Sequence, residues 1–151
     1  MEMGKLRKQL EPTLEILLAE TGWEVAGVED ESATPGQELQ VDVCVRLKAA
    51  DTIHNLAIEI RPNPRPSTLR DRAMLLRQVF EGVRDTTPCI FVPKLTEAVK
   101  QMLRELDLSY FDLYGQCRLK WPGVFIERPG EDRPLTDQAA ALMEKREEGP
   151  D

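Results

Sequence analysis

Histidine is almost absent from this chain. His54 is the only one, beside three cysteines and eight aromatic residues: two Trp, two Tyr and four Phe. A single imidazole cannot build a histidine-rich metal site. Serine–histidine catalysis would rest on His54 alone, and no neighbouring pattern supports it, so His54 reads as structural or surface-bound. Cys44, Cys89 and Cys117 each sit in an apolar, strand-like run with no CxxC spacing. That pattern reads as buried reduced thiols rather than a zinc site or a disulfide framework. No apolar run reaches the roughly 18 residues a membrane-spanning helix needs. The opening MEMGKLRKQLEP lacks the apolar stretch of a signal peptide, so the expected location is cytoplasmic. Positive charge is also short: 20 Lys and Arg against 27 Asp and Glu give a net charge of −7. A dedicated nucleic-acid binder is usually basic, and this total counts against bulk DNA affinity.

The periodicities predict one mixed domain. Met3, Leu6, Leu10, Leu14, Leu17 and Leu18 recur at helical spacing. Pro12 either kinks that helix or opens a second one with Glu11. TGW at 21–23 ends it. WEVAGVE (23–29) reads as a weak edge strand and ATPGQ as a loop. In LQVDVCVRL (39–47), Val41, Val43, Val45 and Leu47 alternate with Asp42, Cys44 and Arg46. In HNLAIEIR (54–61), Leu56, Ile58 and Ile60 alternate with Ala57, Glu59 and Arg61. An irregular PNPRP link follows, with Ser67 as the N-cap of a helix to about Val83. Its Leu69, Ala73, Leu76, Phe80 and Val83 face inward. CIFV (89–92) is apolar throughout, as a central parallel strand is. Thr96 caps the next helix, with Val99, Met102, Leu103 and Leu106 inward. SYFDL (109–113) is a strand, Gly115 a turn, and 117–121 with 123–127 a hairpin around Pro122-Gly123. Trp23 and Trp121 adjoin strands and read as core. The domain is expected to span 1–128, with 129–151 a partly helical or mobile tail. The fold class is α/β (α+β): a central mixed β-sheet flanked by helices, in the order α-β-β-β-α-β-α-β-β-β.

The two alternating strands pair best with their turn between Ala50 and Asp51. Val41 then meets Ile60, Val43 meets Ile58, and Val45 meets Leu56. The same register sets Asp42 opposite Glu59. Two carboxylates about 5 Å apart at Cβ repel unless something offsets them. A divalent cation with water and phosphate ligands would do so, and Arg61 stands on the same face as Glu59. Such a cluster suits metal-assisted phosphodiester hydrolysis. It equally describes a solvated charged face flanked by Arg46 and Arg61. Arg70, Arg77 and Arg84 recur every seven residues, with Arg65 on the link before them. They read as phosphate contacts or as a solvated helix face. Asp112, in YFDLYG, is a turn residue or a late contributor to the site.

Asp42 followed by Glu59-Ile60-Arg61 on the next strand resembles the motif of the PD-(D/E)xK, restriction-endonuclease-like nuclease superfamily. The segments IEIRPNPRPSTLRDRAMLLRQV, CIFVPKLTEAVKQML and YFDLYGQCRL, in that order, resemble an uncharacterised bacterial nuclease-like group with a Y-x-D-L-x-G-N strand–turn. The likeness covers residues 10–127. It implies catalytic roles for Asp42, Glu59 and Arg61, with Gln78 facing the site from the following helix. It also implies a first-helix glutamate, Glu15 or alternatively Glu11. The metal would be Mg²⁺ or Mn²⁺, held by Asp42 and Glu59, and Arg65, Arg70 and Arg77 would contact DNA. Two positions depart from the pattern: Arg61 stands for the motif lysine and Gln116 for the usual asparagine. The group often adds a helical DNA-binding domain, for which this chain is too short. Arginine keeps the charge but does not readily release a proton. The expectation is therefore a Mg²⁺-dependent nuclease-like protein that hydrolyses or locally binds DNA. The alternative is a catalytically inactive nuclease-fold module acting in protein interaction or regulation, as a homodimer or with a protein partner. No membrane is expected as a partner.

Overall fold

The computed structural model describes residues 1–31 and 39–147. The ATPGQ loop and the last residues of the tail lie outside them. The elements are α1 (Met3–Arg7), α2 (Leu10–Leu18), β1 (Glu24–Asp30), β2 (Val43–Ala49), β3 (Thr52–Ile60) and α3 (Pro66–Phe80). They continue with β4 (Thr86–Val92), α4 (Glu97–Glu105), β5 (Ser109–Asp112), β6 (Gln116–Trp121), β7 (Val124–Pro129) and α5 (Asp137–Glu147). Pro12 falls in the first turn of α2, where its missing N–H leaves no helical bond unmade. The chain thus breaks into two helices before Pro12. α3 starts two residues earlier than its serine suggested: Arg65 is the N-cap and Pro66 occupies the first helical position, which its fixed φ favours. The helix ends at Phe80, short of Val83, and Gly82 at φ +79 turns the chain away.

All seven strands form one sheet in sequence order. β3, β4 and β5 run parallel, and antiparallel pairs flank them on both sides. Parallel neighbours need crossovers, and α3 and α4 supply them. Two successive right-handed crossovers advancing in one direction put both helices on the same face. That face packs Ala57, Ile90, Val92 and Tyr110 under Leu69, Ala73, Leu76 and Phe80 of α3 and Val99 and Leu103 of α4. α1, α2 and α5 cover the other face, which carries Val43, Val45, Leu56, Ile58, Ile60 and Phe91. Both faces of β3 and β4 are therefore buried, as their apolar runs require. The segment after Pro129 carries α5, whose Ala139 and Met143 are buried in that second layer.

Cys89 and Cys117 are buried free thiols, both with pKa pushed up by burial, Cys117 to about 11. Cys44 is only half-buried. Trp121 holds Trp23 edge-on at 5.4 Å and stacks on His54 at 5.3 Å, while His54 Nε2 lies 2.7 Å from Thr87 Oγ1. The lone histidine is a packed core group. No helix among the described residues is long and apolar enough to cross a membrane.

Candidate functional site

β2 and β3 pair in the expected register: Val43 meets Ile58, Cys44 meets Ala57 and Val45 meets Leu56. The ladder starts at Val43, however, and the chain bends at Asp42. Val41 consequently crosses to the α3 face instead of meeting Ile60. Asp42 still closes on the end of β3, because its Oδ2 accepts the backbone N–H of Ile60 at 2.7 Å. Burial raises the Asp42 pKa above the usual aspartate value. The Ile60 N–H opposes that rise, the nearby charge of Glu59 adds to it, and Arg61 and Arg72 subtract from it. The two acids are thus electrostatic neighbours, as expected, though joined through a bend and a backbone amide rather than a rung of the ladder.

Glu59 points to the α3 face with its side chain only 7% exposed. Its carboxylate is held by two guanidiniums. Arg61 donates to Oε2 from Nε at 3.1 Å and from Nη2 at 2.7 Å. Arg72, on α3, donates to Oε2 from Nε at 2.9 Å and to Oε1 from Nη2 at 3.0 Å. The same Nη2 donates to the Gln40 carbonyl at 2.9 Å. Arg72 is one of five arginines between positions 61 and 77, with Arg61, Arg65, Arg70 and Arg77, and belongs to no motif. Its signal was positional. It stands three residues after Leu69 and four before Leu76, on the flank of the buried stripe, where a long side chain reaches the sheet.

The other candidates stand apart from this cluster. At about 100° per residue, Gln78 lies roughly 120° around α3 and 9 Å along it from Arg72. It is exposed and shares a groove with Met74, Arg77, Glu81 and Leu106. Glu15 is on α2, across the sheet from Glu59, in a groove with Trp23 and Glu24. Glu11 is paired with Arg7. Arg70 and Arg77 sit roughly 140–160° around α3 from Arg72, exposed on another flank. Arg84 lies beyond the helix end, so the three-arginine stripe is not one helix face. Arg65 is exposed at the start of α3.

Asp112 is a structural hub. Fully buried, it accepts the Leu95 N–H at 2.9 Å, the Tyr114 N–H at 2.9 Å, the Gln116 N–H at 3.0 Å and Gln116 Nε2 at 2.8 Å. Burial pushes its pKa up and these four bonds pull it down. The D-L-x-G turn is therefore bolted to the loop before α4. Gln116, standing for asparagine, also reaches the Leu95 carbonyl at 3.3 Å.

A hydrolytic Mg²⁺ or Mn²⁺ centre needs carboxylate oxygens free to coordinate. Here both Glu59 oxygens already face guanidiniums, and two fixed positive charges balance the two carboxylates. Binding a dication would break those bonds and crowd three cations together. Among the described residues, no group of three or more His, Cys, Asp or Glu gathers in metal-binding reach. Arg61 and Arg72 therefore compete with any cation for Glu59.

No protein-family model matches the chain, and no curated protein does. Among solved structures, it is similar to EndoMS in apo form, with 16% identity and a TM-score of 0.45 over 75% of this chain. It is similar also to EndoMS in a complex with double-stranded DNA, with 17% identity and a TM-score of 0.42 over 71% of this chain. An XisH family protein from Nostoc punctiforme matches at 11% identity and a TM-score of 0.41, over 68% of this chain. The chain spans 46% and 42% of the two EndoMS polypeptides and 89% of the XisH family protein.

Proposed function

We propose that this protein is a nuclease-fold module that acts by binding rather than by metal-dependent hydrolysis, as an interaction or regulatory component. One observation carries the reading: the Glu59 carboxylate, the motif's central acid, is bracketed on both oxygens by Arg61 and Arg72. A lysine at position 61 would offer one mobile ammonium, able to leave and to exchange protons. Two guanidinium forks instead make a fixed, charge-balanced clamp. The clamp ties the bend before β2, the end of β3 and the second turn of α3 together. The rival reading is Mg²⁺-dependent cleavage of DNA phosphodiesters by Asp42 and Glu59.

Calorimetric titration of the whole protein with MgCl₂ and MnCl₂, run beside cleavage assays on single-stranded, duplex and branched DNA, separates the two. The expected result is no metal heat at millimolar concentration and intact DNA. Metal-dependent cleavage by the wild-type chain overturns the proposal. The double variant Arg61→Lys, Arg72→Ala should gain measurable Mg²⁺ binding, because it frees Glu59 and removes one fixed cation.

A further inference from the structure

The parallel strands β3 and β4 end at the same edge of the sheet, and their exit loops line an open cavity of ≈ 750 Å³. This volume falls within the range of small-molecule pockets. The β3 exit contributes Asn63, Pro64 and Arg65; the β4 exit contributes Lys94, Leu95 and Thr96. Met143 of α5 forms a third wall. Among the described residues, no acidic side chain lines the cavity, in a chain with seven more acids than bases. Among the described residues neither Arg65 nor Lys94 is in an ion pair. Lys94 is steadied over the Tyr114 ring at 4.9 Å, which orders the ammonium without neutralising it. α3 begins at Pro66, and the side chain of its N-cap, Arg65, does not cap the first amides.

We propose that this cavity binds a small phosphate monoester. The dianion would lie between Arg65 and Lys94, with the Asn63 amide and the Thr96 hydroxyl as neutral donors. Its organic body would rest on Pro64, Leu95 and Met143. Two unneutralised cations match a doubly charged headgroup, and the apolar wall gives an organic ester an advantage over the bare ion. The net charge of −7 repels an extended polyanion and leaves a compact anion unhindered.

The test is calorimetry on the full chain with phenyl phosphate, inorganic phosphate and a 5′-phosphorylated oligonucleotide. Phenyl phosphate should bind about tenfold more tightly than inorganic phosphate. Arg65→Gln and Lys94→Gln, both at exposed positions, should each weaken phenyl phosphate by about tenfold or more. Arg77→Gln, on another flank of α3, should leave binding unchanged. If the oligonucleotide binds as well as phenyl phosphate and is equally sensitive to Lys94→Gln, the phosphate site stands and its source is a strand end. No binding of phenyl phosphate, or binding unmoved by both pocket variants, overturns the proposal.

Discussion

At the scale of single residues, the Glu59 clamp decides what the site can do. Alternation put Glu59 and Arg61 on one face, and the β2–β3 register put Asp42 nearby. Neither could show which distant arginine closes the second side. That choice depends on where α3 crosses the sheet, and only packing sets the crossing. Gln78 shows the complementary case: its motif position suggested the site, while helical spacing turns it away from Arg72. Glu59→Ala should destabilise the fold by about 1.5–3 kcal/mol, the range for hydrogen bonds to charged groups. The lower half is favoured because Arg61 and Arg72 side chains remain 36% and 24% exposed and can rehydrate. Urea unfolding measures it. An unchanged midpoint would mean that the guanidiniums are held by solvent rather than by the acid.

At the scale of elements, strand pairing was legible because β2 alternates buried and more open residues, and a one-residue slip would carry its apolar set to the open face. Termini were less legible. The α3 start and the bend at Asp42 respond to tertiary demands that propensity does not carry. The turn after β7 is the sharpest of these. Gly130 has φ +87, and a Cβ there would meet Gln116 Cγ at 2.6 Å, its backbone N at 3.0 Å and the Tyr114 carbonyl at 3.1 Å. Gly123, in the β6–β7 hairpin, has φ +83 with nothing within 4 Å. Gly123→Ala should cost about 1 kcal/mol from backbone strain alone. Gly130→Ala should cost clearly more, because backbone atoms and the Asp112–Gln116 hub must also move. Paired thermal melts of the two variants test this, and equal losses would show that the turn yields.

At the scale of the whole molecule, acid stability reports on the packed end of the sheet opposite the clamp. Burial depresses the His54 pKa below 6.5, with Asp85 opposing. A base whose folded pKa is lowered is protonated more readily in the unfolded chain. Its contribution is therefore complete above pH 6.5 and is lost as pH falls below that value toward the depressed folded pKa. Asp42 and Asp112, with raised pKa, act with opposite sign from the acid side. Stability should fall from about pH 6.5 downward, by at most about 1.4 kcal/mol per unit for one proton. His54→Gln should flatten that slope, as unfolding followed by Trp fluorescence at several pH values would show. A slope that survives the substitution would assign it elsewhere.

Local pattern alone determined the mixed sheet, the order of its elements, the β2–β3 register and the nearness of Asp42 to Glu59, because alternation and helical spacing record which face of each element is buried. Only the tertiary structure decided that Arg72 completes the clamp, that Gln78 and Glu15 stand away from it, and that Arg65 and Lys94 share a cavity. Those facts depend on crossing angles and loop exits, which bring together side chains far apart in sequence and leave no periodic trace in it.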